Sequence, residues 1–114
     1  MSKMTETKLT PKQIQALAVV RRKLLEKFPI EAIVLYGSAA RGEAGAESDI
    51  DLLILTSWEL SRSERHQITH LVFEVNLEYG TNLSTLVVDR AAWETGLFSV
   101  LPIRQQILED GIPV

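Results

Sequence analysis

A small mixed β-sheet covered by helices, an α/β arrangement, is the fold this sequence predicts, and three observations predict it. Two apolar runs with strand character, Ile33-Val34-Leu35-Tyr36 and Leu52 to Leu55, are joined by a glycine-bearing segment. Helix-start signals at Thr10-Pro11-Lys12-Gln13 and Ser61-Arg62-Ser63-Glu64 each precede apolar residues at helical spacing. A third apolar run, Leu83 to Val88, follows a helix stop at Gly80.

Thr10 with proline at the next position opens a helix whose apolar stripe is Ile14, Leu17, Ala18, Leu24, Leu25 and Phe28. Pro29 ends it. A strand follows from about Glu31 to Tyr36, and Gly37 permits a tight turn. Ser38 is placed to cap a short helix through Ala39, Ala40 and Arg41. The next strand runs from about Asp49 to Leu55, and if both strand ends line one pocket the two run antiparallel. The helix opened by Ser61 turns Ile68, Leu71, Val72, Val75 and Tyr79 to the core before Gly80. A closing helical region after the third strand breaks near Leu101-Pro102, buries Ile103 and Ile107, and stops at Gly111. Residues 1–9 read as a flexible N-terminus and 10–114 as one domain.

Composition narrows the function. The 114 residues, 46% hydrophobic and 24% charged, suit a single globular core. A net charge of −3 argues against a general nucleic-acid binder, although Arg21, Arg22, Lys23 and Lys27 gather on the first helix. The absence of cysteine excludes disulfides and thiolate metal sites. With no apolar leader near the start and no membrane-length apolar run, the expected setting is cytoplasmic. His66 and His70, four apart on one helix, lack the glutamate of a zinc-protease motif and read as surface or partner-facing residues.

The chemistry concentrates between Gly37 and Asp51. Asp49 and Asp51 flank Ile50, so in a strand both carboxylates face one side, where two anions favour a bound cation. Magnesium takes one or two protein carboxylates and completes its shell with water and phosphate oxygens. Gly37-Ser38, leaving the preceding strand, would offer backbone N–H groups to those phosphates. Arg41 is placed to reach a phosphate or to hold the Glu43 to Glu47 loop by an ion pair, and Ser48, immediately before Asp49, joins the nucleotide-binding candidates. A lone Gly-Ser is usually a turn and a lone Asp-x-Asp usually polar loop chemistry. Their combination between two apolar strands makes the site.

Gly37-Ser38, ten residues, then Asp49-Ile50-Asp51 resembles the signature of the DNA polymerase beta superfamily of nucleotidyltransferases. Within it the wording GSAARGEAGAESDIDLLIL is similar to the minimal nucleotidyltransferases, which are commonly encoded beside a HEPN-type partner. The resemblance implies a nucleotidyltransferase-fold α/β domain. It implies that Gly37 and Ser38 contact nucleotide phosphates and that Asp49 and Asp51 hold catalytic magnesium. The substrate would be ATP or another nucleoside triphosphate, and the acceptor a hydroxyl, such as a tyrosine of a HEPN-type ribonuclease silenced by this chain as an antitoxin. The superfamily's third carboxylate lies on the next strand, where this chain carries Ser84 at the corresponding position. Asp89 caps the following helix in this reading, and Glu74 and Glu78 belong to the preceding one. The alternative is therefore a nucleotide-binding or steric partner subunit with weak or lost turnover. A helical HEPN-type partner or a homo-oligomer would supply the acceptor surface that a small domain lacks.

Overall fold

A computed structural model of the chain describes residues 9–43 and 48–114. Most of the N-terminal segment expected to be flexible, residues 1–8, and the end of the loop toward Glu47 lie outside the described residues.

Helix α1, Pro11–Lys27, begins with the expected reciprocal cap: the Thr10 hydroxyl accepts from the Gln13 N–H, and the Gln13 side chain accepts from the Thr10 N–H. Its buried arc differs from the expected stripe. Leu17, Leu24 and Phe28 are in the core, joined by Ala16, Val20 and the capping Gln13, while Ile14, Ala18 and Leu25 are exposed. The small Ala16 and branched Val20 centre the contact on one side of Leu17. That rotation leaves the other three on the flank of the arc.

Strand β1, Ile30–Tyr36, pairs antiparallel with β2, Ile50–Thr56, in the expected direction. Helix α2, Arg62–Tyr79, starts at a Ser61/Glu64 capping box and ends at Gly80 with φ 66°. It buries Ile68, Leu71, Val72 and Val75 and returns the chain to β3, Leu83–Asp89, which is parallel to β2 without a register shift. The closing region comprises α3, Arg90–Glu94, a 3-10 turn over Leu97–Val100, and α4, Pro102–Asp110. It ends in a strand the sequence reading missed: β4, Ile112–Pro113, antiparallel to Val34 and Leu35 of β1.

The sheet order is β3-β2-β1-β4, and each face carries its own core. On one face Ile33, Leu35, Ile50, Leu52, Ile54 and Leu83 pack against the inward residues of α1 and α2. On the other, Val34, Tyr36, Leu53, Leu55, Leu86 and Val88 meet Trp93, Phe98, Ile103 and Ile107 of the closing region. Strict side-chain alternation therefore commits the odd residues of β2 to the second face.

Candidate active site

The second face ends in polar residues. Asp51 is opposite Tyr36 of β1 on one side and Ser84 of β3 on the other, so these three side chains share a row across the sheet. Asp49, just before β2, is exposed and close enough that its charge acts on Asp51. Partial burial, then the Asp49 charge, raise the Asp51 carboxyl above the ordinary carboxylate value. Burial, then Asp51, likewise raise the Tyr36 phenol.

Gly37 closes over this row with φ +75°, and a Cβ there would lie 2.7 Å from Asp51 Oδ2. Both the left-handed backbone and the close approach exclude a side chain. Beyond Gly37 the expected short helix is absent. Residues 37–42 instead form a compact turn, in which Ala40 and Arg41 donate to the Gly37 carbonyl and Glu43 to the Ser38 carbonyl. Gly42, at φ 73°, bends the chain out of helical continuation. The N–H groups of Ser38 and Ala39, at the head of the turn, are not used in these bonds.

Arg41 takes up the expected contact with Glu43, Nε to Oε2 at 3.2 Å, and adds a second, Nη1 to Asp110 Oδ2 at 3.7 Å. The turn after β1 is thus linked to the end of α4, and both pairs are open to solvent. Ser48 is half-buried beside Asp49. Ser84 is exposed next to Asp51. Among the described residues no three acidic, histidine or cysteine side chains converge to hold a metal. None of the three nearby acids in the sequence stands at Ser84's position: Asp89 accepts from the Ala92 N–H as the cap of α3, Glu74 pairs with His70 on the exposed side of α2, and Glu78 is exposed near the end of α2. A cavity of about 550 Å³, lined by Lys23, Lys27, Phe28, His66 and His70, opens between α1 and α2 on the opposite side of the sheet from Asp51.

One residue that holds this end together escaped the sequence reading. The Asn76 side chain donates to the Leu83 carbonyl at 3.0 Å and accepts from the Leu83 N–H at 2.8 Å and the Thr81 hydroxyl at 2.9 Å. It fixes the start of β3, and with it Ser84, against α2. The available signal was a lone asparagine between Val75 and Leu77, one turn before Gly80.

The family pattern of the nucleotidyltransferase domain matches residues 17–113. This chain belongs to that family. The nucleotidyltransferase domain is 36% identical over 72 residues to a Methanocaldococcus jannaschii protein assigned as a protein adenylyltransferase, a match covering 60% of this chain and 49% of that one. Its fold is shared with a solved minimal nucleotidyltransferase, at TM-score 0.59 and 20% identity, covering 100% of this chain and 97% of the other. It is also shared, at TM-score 0.51 and 18% identity over 90% of this chain and 70% of the matched one, with a complex of a tri-AMPylated Shewanella oneidensis HEPN toxin and its MNT antitoxin. Among the described residues of the nucleotidyltransferase domain, no helix is long and apolar enough to cross a membrane.

Proposed function

We propose that this domain transfers a nucleotidyl group, AMP from ATP, to a hydroxyl on a HEPN-type protein partner, in a cytoplasmic setting, with Asp49 and Asp51 holding magnesium. The observation that carries the proposal is the row Tyr36, Asp51, Ser84 with Gly37 folded against the Asp51 carboxylate. Two carboxylates close enough to interact, one of them raised by burial and then by the other's charge, form an oxygen donor set that a hard cation would relieve. Magnesium bound there would neutralise the charge of the triphosphate.

The chain's own groups divide the remaining work. Gly37 would leave room for a phosphate, the N–H groups of Ser38 and Ala39 can donate to it, and Arg41, in the same turn, and Ser48, next to Asp49, would complete the contacts. The acceptor oxygen bonds to the α-phosphorus while the bond to the bridging oxygen breaks and pyrophosphate leaves. The acceptor proton passes to solvent, because the Ser84 hydroxyl is too weak a base at neutral pH. Lacking a general base removes a factor of about 10²–10⁴, so transfer is slow. The AMPylated HEPN toxin held by a protein of this fold, and the adenylyltransferase relative, support the choice of AMP and of a protein acceptor.

A second reading, a nucleotide-binding or steric subunit without turnover, is favoured by one observation: the exposed, neutral Ser84 beside Asp51. Transfer from labelled ATP to the co-expressed partner, with calorimetry of ATP binding with and without magnesium, separates the two. The proposal expects slow wild-type transfer, none from an Asp49→Asn, Asp51→Asn double variant, and faster transfer by Ser84→Asp. Magnesium-dependent binding with no wild-type transfer supports the second reading, and undiminished transfer by the double variant overturns the site.

A further inference from the structure

The basic run of α1 and the histidine pair of α2, distant in the sequence, come together on the side of the molecule away from Asp51. Both line the cavity of about 550 Å³ between the two helices, whose wall also includes Ser63 and Gln67 of α2. The buried Phe28 and Leu71 give it an apolar floor. An apolar lining with a few convergent polar groups, in a volume of about 300–1,000 Å³, is the usual build of a small-molecule site. The site at Gly37 and Asp51 uses none of these residues.

The charges around the cavity are unevenly matched. Arg21 donates to the Val114 carbonyl at 3.3 Å, and Arg22 pairs with Glu26 at 3.8 Å. His70 meets Glu74 at 3.0 Å, so both acids on the cavity wall already have a partner. Among the described residues the side chains of Lys23 and Lys27, one turn apart on α1, make no hydrogen bond or ion pair, and neither do Ser63, His66 and Gln67 across from them. Lys23 is also half-buried. An ammonium that has lost part of its water and found no counter-charge is best satisfied by an anion entering the cavity.

We propose that this cavity binds a small organic phosphate, its phosphate group held by Lys23 and Lys27 and its less polar body set against Phe28 and Leu71. Residues four apart on a helix have Cβ atoms about 5–6 Å from each other, so the two ammonium groups can close on one phosphate. Ser63, His66 and Gln67 are placed for the remaining polar atoms of the ester. Charge decides the size of the ligand. Two unpartnered lysines match one phosphate dianion, whereas a nucleic-acid strand would bring several phosphates to a wall that also carries Glu26 and Glu74, on a chain of net charge −3. This site shares no residue with the one at Asp49 and Asp51, so either can fail without the other.

Titration of the isotope-labelled full chain with phenyl phosphate, followed by NMR without magnesium, tests this. The amide signals of Lys23, Lys27, His66 and Leu71 should shift and saturate while those of Gly37 and Ser38 stay in place, and phenol, which lacks the phosphate, should bind more weakly. A Lys23→Gln, Lys27→Gln variant with an unchanged circular dichroism spectrum should bind at least about tenfold more weakly. Lys23→Arg with Lys27→Arg should retain binding, and Asp49→Asn with Asp51→Asn should match the wild type. Shifts that never saturate, that centre on Gly37 and Ser38, or that persist undiminished in the glutamine variant overturn the proposal. So does a short single-stranded oligonucleotide that binds the same residues more tightly than the monoester, which would make the groove a nucleic-acid surface.

Discussion

The two ends of the β2–β3 strand pair carry similar polar residues put to opposite uses. At the Thr56 and Asp89 end, the fully buried Thr56 hydroxyl donates to the Trp58 carbonyl at 2.7 Å, and Asp89 caps α3. At the Asp51 and Ser84 end, roughly 16 Å away along the strands, one carboxylate is raised by burial and by a second carboxylate, and Ser84 faces solvent. One end spends its polar groups on the fold. The other holds two interacting carboxylates instead, at some cost in stability.

Substitutions sharpen the contrast. The largest effect is expected from Asp49→Asn with Asp51→Asn, which should lower transfer at least about 100-fold, since even residues that only support metal ligands cost 10–100-fold. Thermal unfolding of that variant should be unimpaired, and a large loss of stability would break the comparison. Asn76→Ala should cost about 1–3 kcal/mol in denaturant unfolding, because the Leu83 N–H loses its partner. It tests whether the functional end depends on its own structural clamp, and activity per folded molecule should fall with it. Asp89→Ala should cost about 1 kcal/mol through loss of the α3 cap while leaving ATP affinity unchanged.

The smallest effect carries a sign. The raised Asp51 pKa makes its neutral form the better tolerated one in the folded chain, so its stabilising contribution is full below the unfolded value of 3.8 and is lost as pH rises through the folded value. Metal-free Asp51→Asn should therefore be more stable than wild type at pH 7, by at most about 1 kcal/mol given the exposure of the site. That advantage should vanish in acid. Melting curves at both pH values decide it, and a destabilised variant at pH 7 would place Asp51 among the structural residues.

Much of this contrast was legible in the sequence because its signals are local. Both capping boxes and the three long strands follow from spacing alone, and the antiparallel hairpin from the demand that Gly37 and Asp49 meet. What escaped depends on distant partners. Ile112-Pro113 is too short to show a period and becomes a strand only because β1 offers it an edge. Asn76 looks like a helix residue until the returning β3 supplies Leu83. The Ser38 segment has helix-forming alanines, but Gly42 turns the chain away after a single turn.

The overlap between a Cβ at position 37 and Asp51 Oδ2 also imposes an order on change. While Asp51 is present, alanine at 37 is barred twice, by the carboxylate and by the left-handed backbone, which costs an ordinary residue about 1–2 kcal/mol. Once Asp51 is shortened, only the backbone bar remains. The two positions are therefore coupled: a side chain at 37 costs more while Asp51 is present than after it is shortened, so the two changes are cheaper in one order than in the other.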